Sequence, residues 1–258
     1  ICRKRYFEKR SLWYILDVNK NYSNEEIGEI VSSITDIVDG KVVITGEVTD
    51  DIKAIIRGYK SGGVAKQGRG ILDEYYTDGK IVDAVNMLIA PYFKGAKGVR
   101  VLEPSVGVGN FIEAVDNIPT SEIQSFEIND TTARIAKILY PDIDVNLRSF
   151  ETEFIDESGN KKPLPKKFNL VIGNPPYGSH RGLYKGLGEE SKIARYEDYF
   201  VKRSLDVLND GGVLAMVLPS SWIDRHTKYG GYTIEAAYRL PSGAFEATQV
   251  GTDIVILK

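Results

Sequence analysis

The chain has 258 residues, of which 42% are hydrophobic and 27% charged, and its formal net charge is −3. That length can bury a sizeable core in one large domain or in a domain with an appendage, and the charge excludes a generally basic nucleic-acid coat while leaving room for a local basic patch. One cysteine, Cys2, excludes an internal disulfide, and with two histidines, His180 and His226, no metal site is expected.

No run approaches the length of a membrane-spanning helix, and Ile1-Cys2-Arg3-Lys4-Arg5 is not followed by a signal-peptide core, so a cytoplasmic protein with no membrane contact is expected. With no initiator methionine and no tail after Lys258, the sequence reads as a piece of a longer chain.

Residues 1 to 20 are mixed basic and aromatic. Ser23-Asn24-Glu25-Glu26 is a capping-box pattern, and Ile27, Ile30, Val31, Ile34 and Ile37 follow at helical spacing, which predicts a helix to about Asp39. A strand-like Val42-Val43-Ile44-Thr45 and a helix from Asp51 to Arg57 come next. Gly58 to Gly70, with Ser61-Gly62-Gly63 and Gln67-Gly68-Arg69-Gly70, reads as a flexible joint. Residues 1–70 are therefore expected to form a mainly helical N-terminal segment, and residues 71–258 the functional domain.

Beyond the joint, Ile81, Val82, Val85, Leu88 and Ile89 mark an amphipathic helix ending near Pro91. Strands are predicted at Val99–Glu103, Ile123–Ile128, Val145–Leu147, Leu170–Gly173, Gly212–Leu218, Glu235–Leu240 and Asp253–Leu257. Helices are predicted from Gly109 to Val115, Asp130 to Leu139 and Ala194 to Leu208. Strands alternating with helices imply an α/β fold with a doubly wound, mostly parallel, Rossmann-like sheet of seven strands. No helical pattern separates the last two strands, so at least one of them is expected to run antiparallel.

Three strand ends carry chemistry. After the first strand comes Glu103-Pro104-Ser105-Val106-Gly107-Val108-Gly109, a glycine turn that lets backbone approach a ligand and presents amides at a helix start. It departs from the dinucleotide fingerprint, and Glu103 would repel a pyrophosphate but suits an amine or a sulfonium. Glu127 ends the second strand, where an acid accepts hydrogen bonds from ribose hydroxyls in nucleoside-binding sheets.

The apolar run Phe168-Asn169-Leu170-Val171-Ile172-Gly173 stops on Asn174-Pro175-Pro176-Tyr177, a tetrapeptide expected by chance in roughly one in a thousand chains of this length. The prolines end the ladder and stiffen the tip. Such a tip suits methylation of a conjugated amino group, whose delocalised lone pair makes it a poor nucleophile. The Asn174 side-chain oxygen and the Pro175 carbonyl can accept its two N–H groups and stabilise the charge that develops during attack. Tyr177 can stack on the ring carrying that nitrogen.

On these residues the chain resembles the S-adenosylmethionine-dependent DNA adenine-N6 methyltransferases in which the cofactor turn precedes Asn-Pro-Pro-Tyr. The resemblance covers about residues 70 to 258. It implies that Thr77, in Tyr75-Tyr76-Thr77, contacts the methionine part of S-adenosylmethionine, and that Glu103, Ser105, Gly107 and Gly109 form the cofactor turn. It makes Glu127 the ribose acid and places Phe150 beside the cofactor adenine. Ser149 stands where many members have an acid that accepts the adenine amino group, and Asp78 where a proline is usual. Phe245 would pack against a base flipped out of DNA, opposite Tyr177.

Gly178 to Gly186 reads as a mobile loop that closes over substrate or touches phosphates, or as a plain surface loop. Lys161, Lys162, Lys166 and Lys167 read as phosphate contacts or as a solvated turn. The expected substrate partner is DNA, with a target-recognition domain or specificity subunit outside this chain. A protein-glutamine methyltransferase, an RNA adenine methyltransferase and a decayed methylase kept for DNA binding or assembly remain alternatives.

Overall fold

A computed structural model describes residues 6–9, 12–60, 79–164, 167–179, 192–226, 228–229, 231–241 and 251–258. The chain opens with a hairpin of β1 (Tyr6–Lys9) and β2 (Leu12–Ile15), followed by α1 (Asn24–Ser33), β3 (Thr35–Val38), β4 (Lys41–Ile44) and α2 (Asp50–Ile56). Then come α3 (Gly79–Ile89), β5 (Val99–Glu103), β6 (Thr120–Glu127), α4 (Asp130–Leu139), β7 (Asp144–Leu147) and β8 (Phe168–Gly173). The last elements are α5 (Tyr196–Val207), β9 (Leu208–Pro219), α6 (Ser221–Arg225), β10 (Lys228–Tyr229), β11 (Tyr232–Arg239) and β12 (Thr252–Leu257).

The main sheet has the order β10-β11-β12-β9-β8-β5-β6-β7-β4-β3. Strands β7, β6, β5, β8 and β9 run parallel, and β12 runs antiparallel to both of its neighbours, as the missing helix between the last two predicted strands requires. All seven predicted strands are present. The chain builds outward from β5 through β6 to β7 and then returns to lay β8 on the other side of β5. The switch point between β5 and β8 is where open α/β sheets bind ligands, at the carboxyl ends of the strands.

Both faces of the sheet are buried, and the alternation along each strand divides the core. Val101, Leu170, Ile172, Ala215, Val217 and Ile254 face α3 and the 3₁₀ turn Asn110–Val115. Leu102, Val171, Leu214, Met216 and Val255 face α5 and the aromatic residues Phe126, Phe150 and Phe154. A side-chain period of two over a sheet covered on both sides produces this continuous apolar sequence.

The N-terminal region differs from expectation. Its described residues are mixed helix and strand rather than mainly helical, and the β3–β4 hairpin extends the main sheet beside β7, with Lys41 opposite Asn146. The capping box forms, the Ser23 N–H donating to Glu26 Oε2 at 2.9 Å and the Glu26 N–H to Ser23 Oγ at 3.2 Å, a pair worth about 1 kcal/mol. The helix it opens stops at Ser33 instead of near Asp39. Asp39 and Gly40 take positive φ, 50° and 74°, and turn a hairpin there; Asp-Gly is the sequence signal for such a turn. Ile27, Ile30, Val31, Ile52, Ile55 and Ile56 then pack on Ile135 and Ile138 of α4.

Candidate active site

At the tip of β5, Glu103 is 1% exposed, and its carboxylate accepts the Ser105 N–H at 3.1 Å. Burial pushes its carboxyl well above the ordinary carboxylate range; the Ser105 N–H opposes the shift and the nearby charge of Glu127 adds to it. Gly107 and Gly109 hold φ of 53° and 97°, which favours glycine at both places. A Cβ on Gly107 would meet nothing within 4 Å, so the turn faces open space there, whereas one on Gly109 would lie 2.6 Å from the Tyr140 ring. The Ser105 hydroxyl is buried without a hydrogen-bond partner among the described residues. A glycine turn with open space before it, an orphaned buried hydroxyl and an acid driven from its charged form by burial together fit a polar, cationic ligand.

Glu127, at the tip of β6, is 8% exposed and accepts the N–H groups of Gly107 at 2.9 Å and of Ile128 and Asn129 at 2.7 Å each. Besides its expected role at a ribose, it therefore ties the glycine turn to the next strand. The Gly107 amide, read from sequence as a ligand contact, is here engaged with that carboxylate.

The tip of β8 lies against this turn. Leu102 pairs with Val171 in the parallel ladder, a register that sets Ser105 level with Asn174. Gly173 has φ of 153°, and a Cβ built on it would stand 2.4 Å from Glu103 Oε1. Only glycine allows β8 to pass this close, so the glycine before Asn174 joins the two halves of the site. The sequence shows the residue but not the neighbour that requires it.

Asn174 and Tyr177 are half-buried and Pro175 is buried. The Tyr177 hydroxyl donates to Asn174 Oδ1 at 2.5 Å and lies 3.0 Å from the Val217 carbonyl oxygen of β9. After the tetrapeptide, the Gly178 N–H donates to Glu197 Oε2 at 3.0 Å, and the Gly178 carbonyl accepts the Tyr196 N–H at 2.9 Å. Glu197, in the first turn of α5, is fully buried; Arg195 pairs with its other oxygen, and Arg225 Nη2 lies 3.4 Å from it. Sequence reading missed Glu197, since an acid in a first helical turn is ordinary and only its burial beside Gly178 distinguishes it.

Other expected residues hold contacts within the protein. The Phe150 ring is 4% exposed and packs among Phe126, Phe154 and Phe200 at centroid distances of 5.2, 4.9 and 5.8 Å, so its side chain is part of the core. Ser149 accepts the Glu151 N–H and donates to Glu151 Oε2, both at 3.3 Å. Lys162 donates to the Thr152 carbonyl at 2.6 Å, and Lys167 donates to Gln124 at 2.6 Å beside the start of β8, the end opposite the tip. Lys167 therefore braces the protein away from the site, and Lys162 braces the turn after β7. Thr77, Asp78, Lys166 and Phe245, with nearly all of the Gly178 to Gly186 loop, lie outside the described residues. No helix among the described residues is long and apolar enough to cross a membrane.

The family model of the Eco57I restriction-modification methylases matches residues 6–236. Among curated proteins, the chain is 28% identical over 248 residues to Defense against restriction protein B of Escherichia phage P1, covering 88% of this chain and 10% of that protein. It is 28% identical over 136 residues to Modification methylase CviBIII of Paramecium bursaria Chlorella virus NC1A, covering 50% of this chain and 33% of that one. The chain thus spans about a tenth and a third of these relatives' lengths. Among solved structures, it resembles a candidate class I S-adenosylmethionine-dependent methyltransferase of Listeria monocytogenes, with TM-score 0.57 and 16% identity over 93% of this chain and 69% of that one. A match over residues 6–236, on a sheet of this order with its glycine turn at the switch point, means that the chain belongs to the Eco57I restriction-modification methylase family, with S-adenosylmethionine as its methyl donor.

Proposed function

We propose that this chain carries the catalytic site for methylation of the exocyclic N6 amino group of adenine in DNA. The observation that carries the reading is the contact between Glu103 and Gly173, which puts the donor turn and the Asn174 tip at one place. When bound, S-adenosylmethionine supplies an electrophilic methyl group on a positively charged sulfur. Glu103 and the glycine turn hold the donor's charged end, and Glu127 accepts from the ribose hydroxyls. The Asn174 side-chain oxygen and the Pro175 carbonyl accept the two N–H groups of the base, localising its lone pair and stabilising the cation formed on attack. No strong general base is required, because the nitrogen loses its proton only after it has become cationic.

A base inside a duplex cannot reach a recessed strand tip, so the reading includes extrusion of the adenine between Tyr177 and Phe245. The modification-methylase name of the chlorella-virus relative supports DNA over the glutamine and RNA alternatives. Sequence selectivity is assigned to a recognition domain or specificity subunit beyond this stretch.

The test is to give the intact polypeptide tritiated S-adenosylmethionine with unmethylated DNA, RNA and protein, and to analyse the labelled nucleosides and amino acids. Label on N6-methyladenine from DNA is expected. Asn174→Ala should abolish it while leaving the calorimetric affinity for the donor unchanged. Label on glutamine or on RNA would overturn the assignment.

A further inference from the structure

We propose that Glu151 is a positioning residue at the base end of the donor site, acting through Ser149: its carboxylate keeps the serine hydroxyl proton and leaves the serine oxygen to accept the exocyclic amino group of the donor's adenine. This rests on the reading of Glu127 as the ribose acceptor. Leu147, the last residue of β7, stands opposite Glu127 in the parallel ladder, and Ser149 follows two residues later at the same end of the sheet. Neighbouring strands lie about 4.8 Å apart, so a nucleoside with its ribose at the β6 tip extends its base over the tip of β7. Ile128, beside Glu127, is 49% exposed and offers an apolar face there. The Phe150 ring is in the core, and Arg148, turned to Glu153 and Thr152, carries donors only. Ser149, half-buried, is the side chain at this tip that can accept an amino group.

A serine alone discriminates poorly, because its hydroxyl donates to a carbonyl as readily as it accepts from an amine. Here that freedom is gone. The Ser149 hydroxyl donates to Glu151 Oε2 at 3.3 Å, and its oxygen accepts the Glu151 N–H at 3.3 Å, so one lone pair remains. That lone pair accepts from an amino group and has nothing to offer a carbonyl. Glu151 is 4% exposed, in the 3₁₀ turn Phe150–Glu153 that Ser149 caps. Capping asks only for the Glu151 N–H; the carboxylate is beyond that need. By taking the proton it also polarises the hydroxyl oxygen and strengthens it as an acceptor.

The test is calorimetric titration of the intact polypeptide with S-adenosylhomocysteine, which carries the amino group, and with S-inosylhomocysteine, which has a carbonyl in its place. The wild type should prefer the adenosyl ligand about tenfold, the scale of one hydrogen bond made and one acceptor set against another. Ser149→Ala should remove the preference by weakening the adenosyl ligand. Glu151→Met frees the hydroxyl proton, so it should remove the preference by strengthening the inosyl ligand about fivefold, a gain that lost structure does not produce. Because Glu151→Met could disturb folding, Glu151→Gln is measured beside it; its neutral amide holds the proton less firmly, and the preference should fall below the wild type's there too. A wild-type preference in a folded Glu151 variant, or equal affinities for the two ligands in the wild type, would overturn the proposal. The 2′-deoxy form of S-adenosylhomocysteine tests the reading beneath it: it should bind the wild type less tightly, and an unchanged affinity would overturn the placement of the ribose at Glu127.

Discussion

Gly173→Ala tests whether the two halves of the site depend on one contact. The new Cβ would stand 2.4 Å from Glu103 Oε1, against 3.4 Å or more for ordinary contact, so one side must move by about 1 Å. Glu103 is 1% exposed and held by the Ser105 N–H, and Pro104 Cδ lies 3.7 Å from the same point, which leaves the carboxylate little room to withdraw. The backbone strain of alanine at φ 153° adds roughly 1–3 kcal/mol. A displacement of about 1 Å at a reacting centre costs on the order of 100-fold in rate. Gly211→Ala is the control, because Gly211 also has positive φ, 74°, but a Cβ there meets nothing within 4 Å, and it lies toward the opposite end of β9. Both variants should lose stability in urea titration; only Gly173→Ala should also lose about 100-fold in single-turnover methyl transfer and bind the donor more weakly. If Gly173→Ala retains wild-type transfer and affinity, the shared wall between the halves is not functional.

Glu103 yields a prediction in pH. Its raised carboxyl is driven to the charged form by a cation bound beside it, so donor binding should release a proton and strengthen as pH rises through that raised value. Calorimetry in buffers of different ionisation heat measures the release, and observed heats that do not change with the buffer would contradict it. Folding has its own sign: the folded state holds this proton where the unfolded chain has lost it, so stability falls as pH rises from the ordinary carboxylate range to the raised one. Glu103→Gln should flatten that slope in urea titrations at stepped pH. At the other tether, Glu197→Ala leaves the Gly178 N–H and two arginines without their buried carboxylate. Arg195 and Arg225 are 40% and 35% exposed, so solvent recovers part of the loss, and a cost of about 2 kcal/mol is expected. Glu197→Gln, which keeps an acceptor for Gly178, should recover transfer activity better than it recovers stability; equal activity in both variants would make the tether irrelevant to the tip.

The sheet was legible because its signals are local. Continuous apolar runs such as Val213 to Leu218 and Ile254 to Leu257 mark strands buried on both faces, and the prolines after Asn174 mark where β8 must end. The N-terminal hairpin was misread because Ile34 and Ile37 continue the helical spacing of α1, while Asp39-Gly40, the stronger punctuation, stood at the end of the run. Phe150, which the resemblance puts beside the cofactor adenine, packs its ring in the core against Phe126, and an aromatic after a strand gives no sequence signal of that packing.

What no local pattern could give is the meeting of residues far apart in the chain. Asn174 is held by the β8 register against β5 and β9, by the hydroxyl of Tyr177, and through Gly178 by a carboxylate in α5. The glycine turn after β5 is held by Glu127, which takes the Gly107 amide across to β6. Each half is fastened to a different side of the switch point, and Gly173 is where they touch. A side chain there would fill the volume that the Glu103 carboxylate occupies, so the empty face of one glycine makes two strand tips into one site.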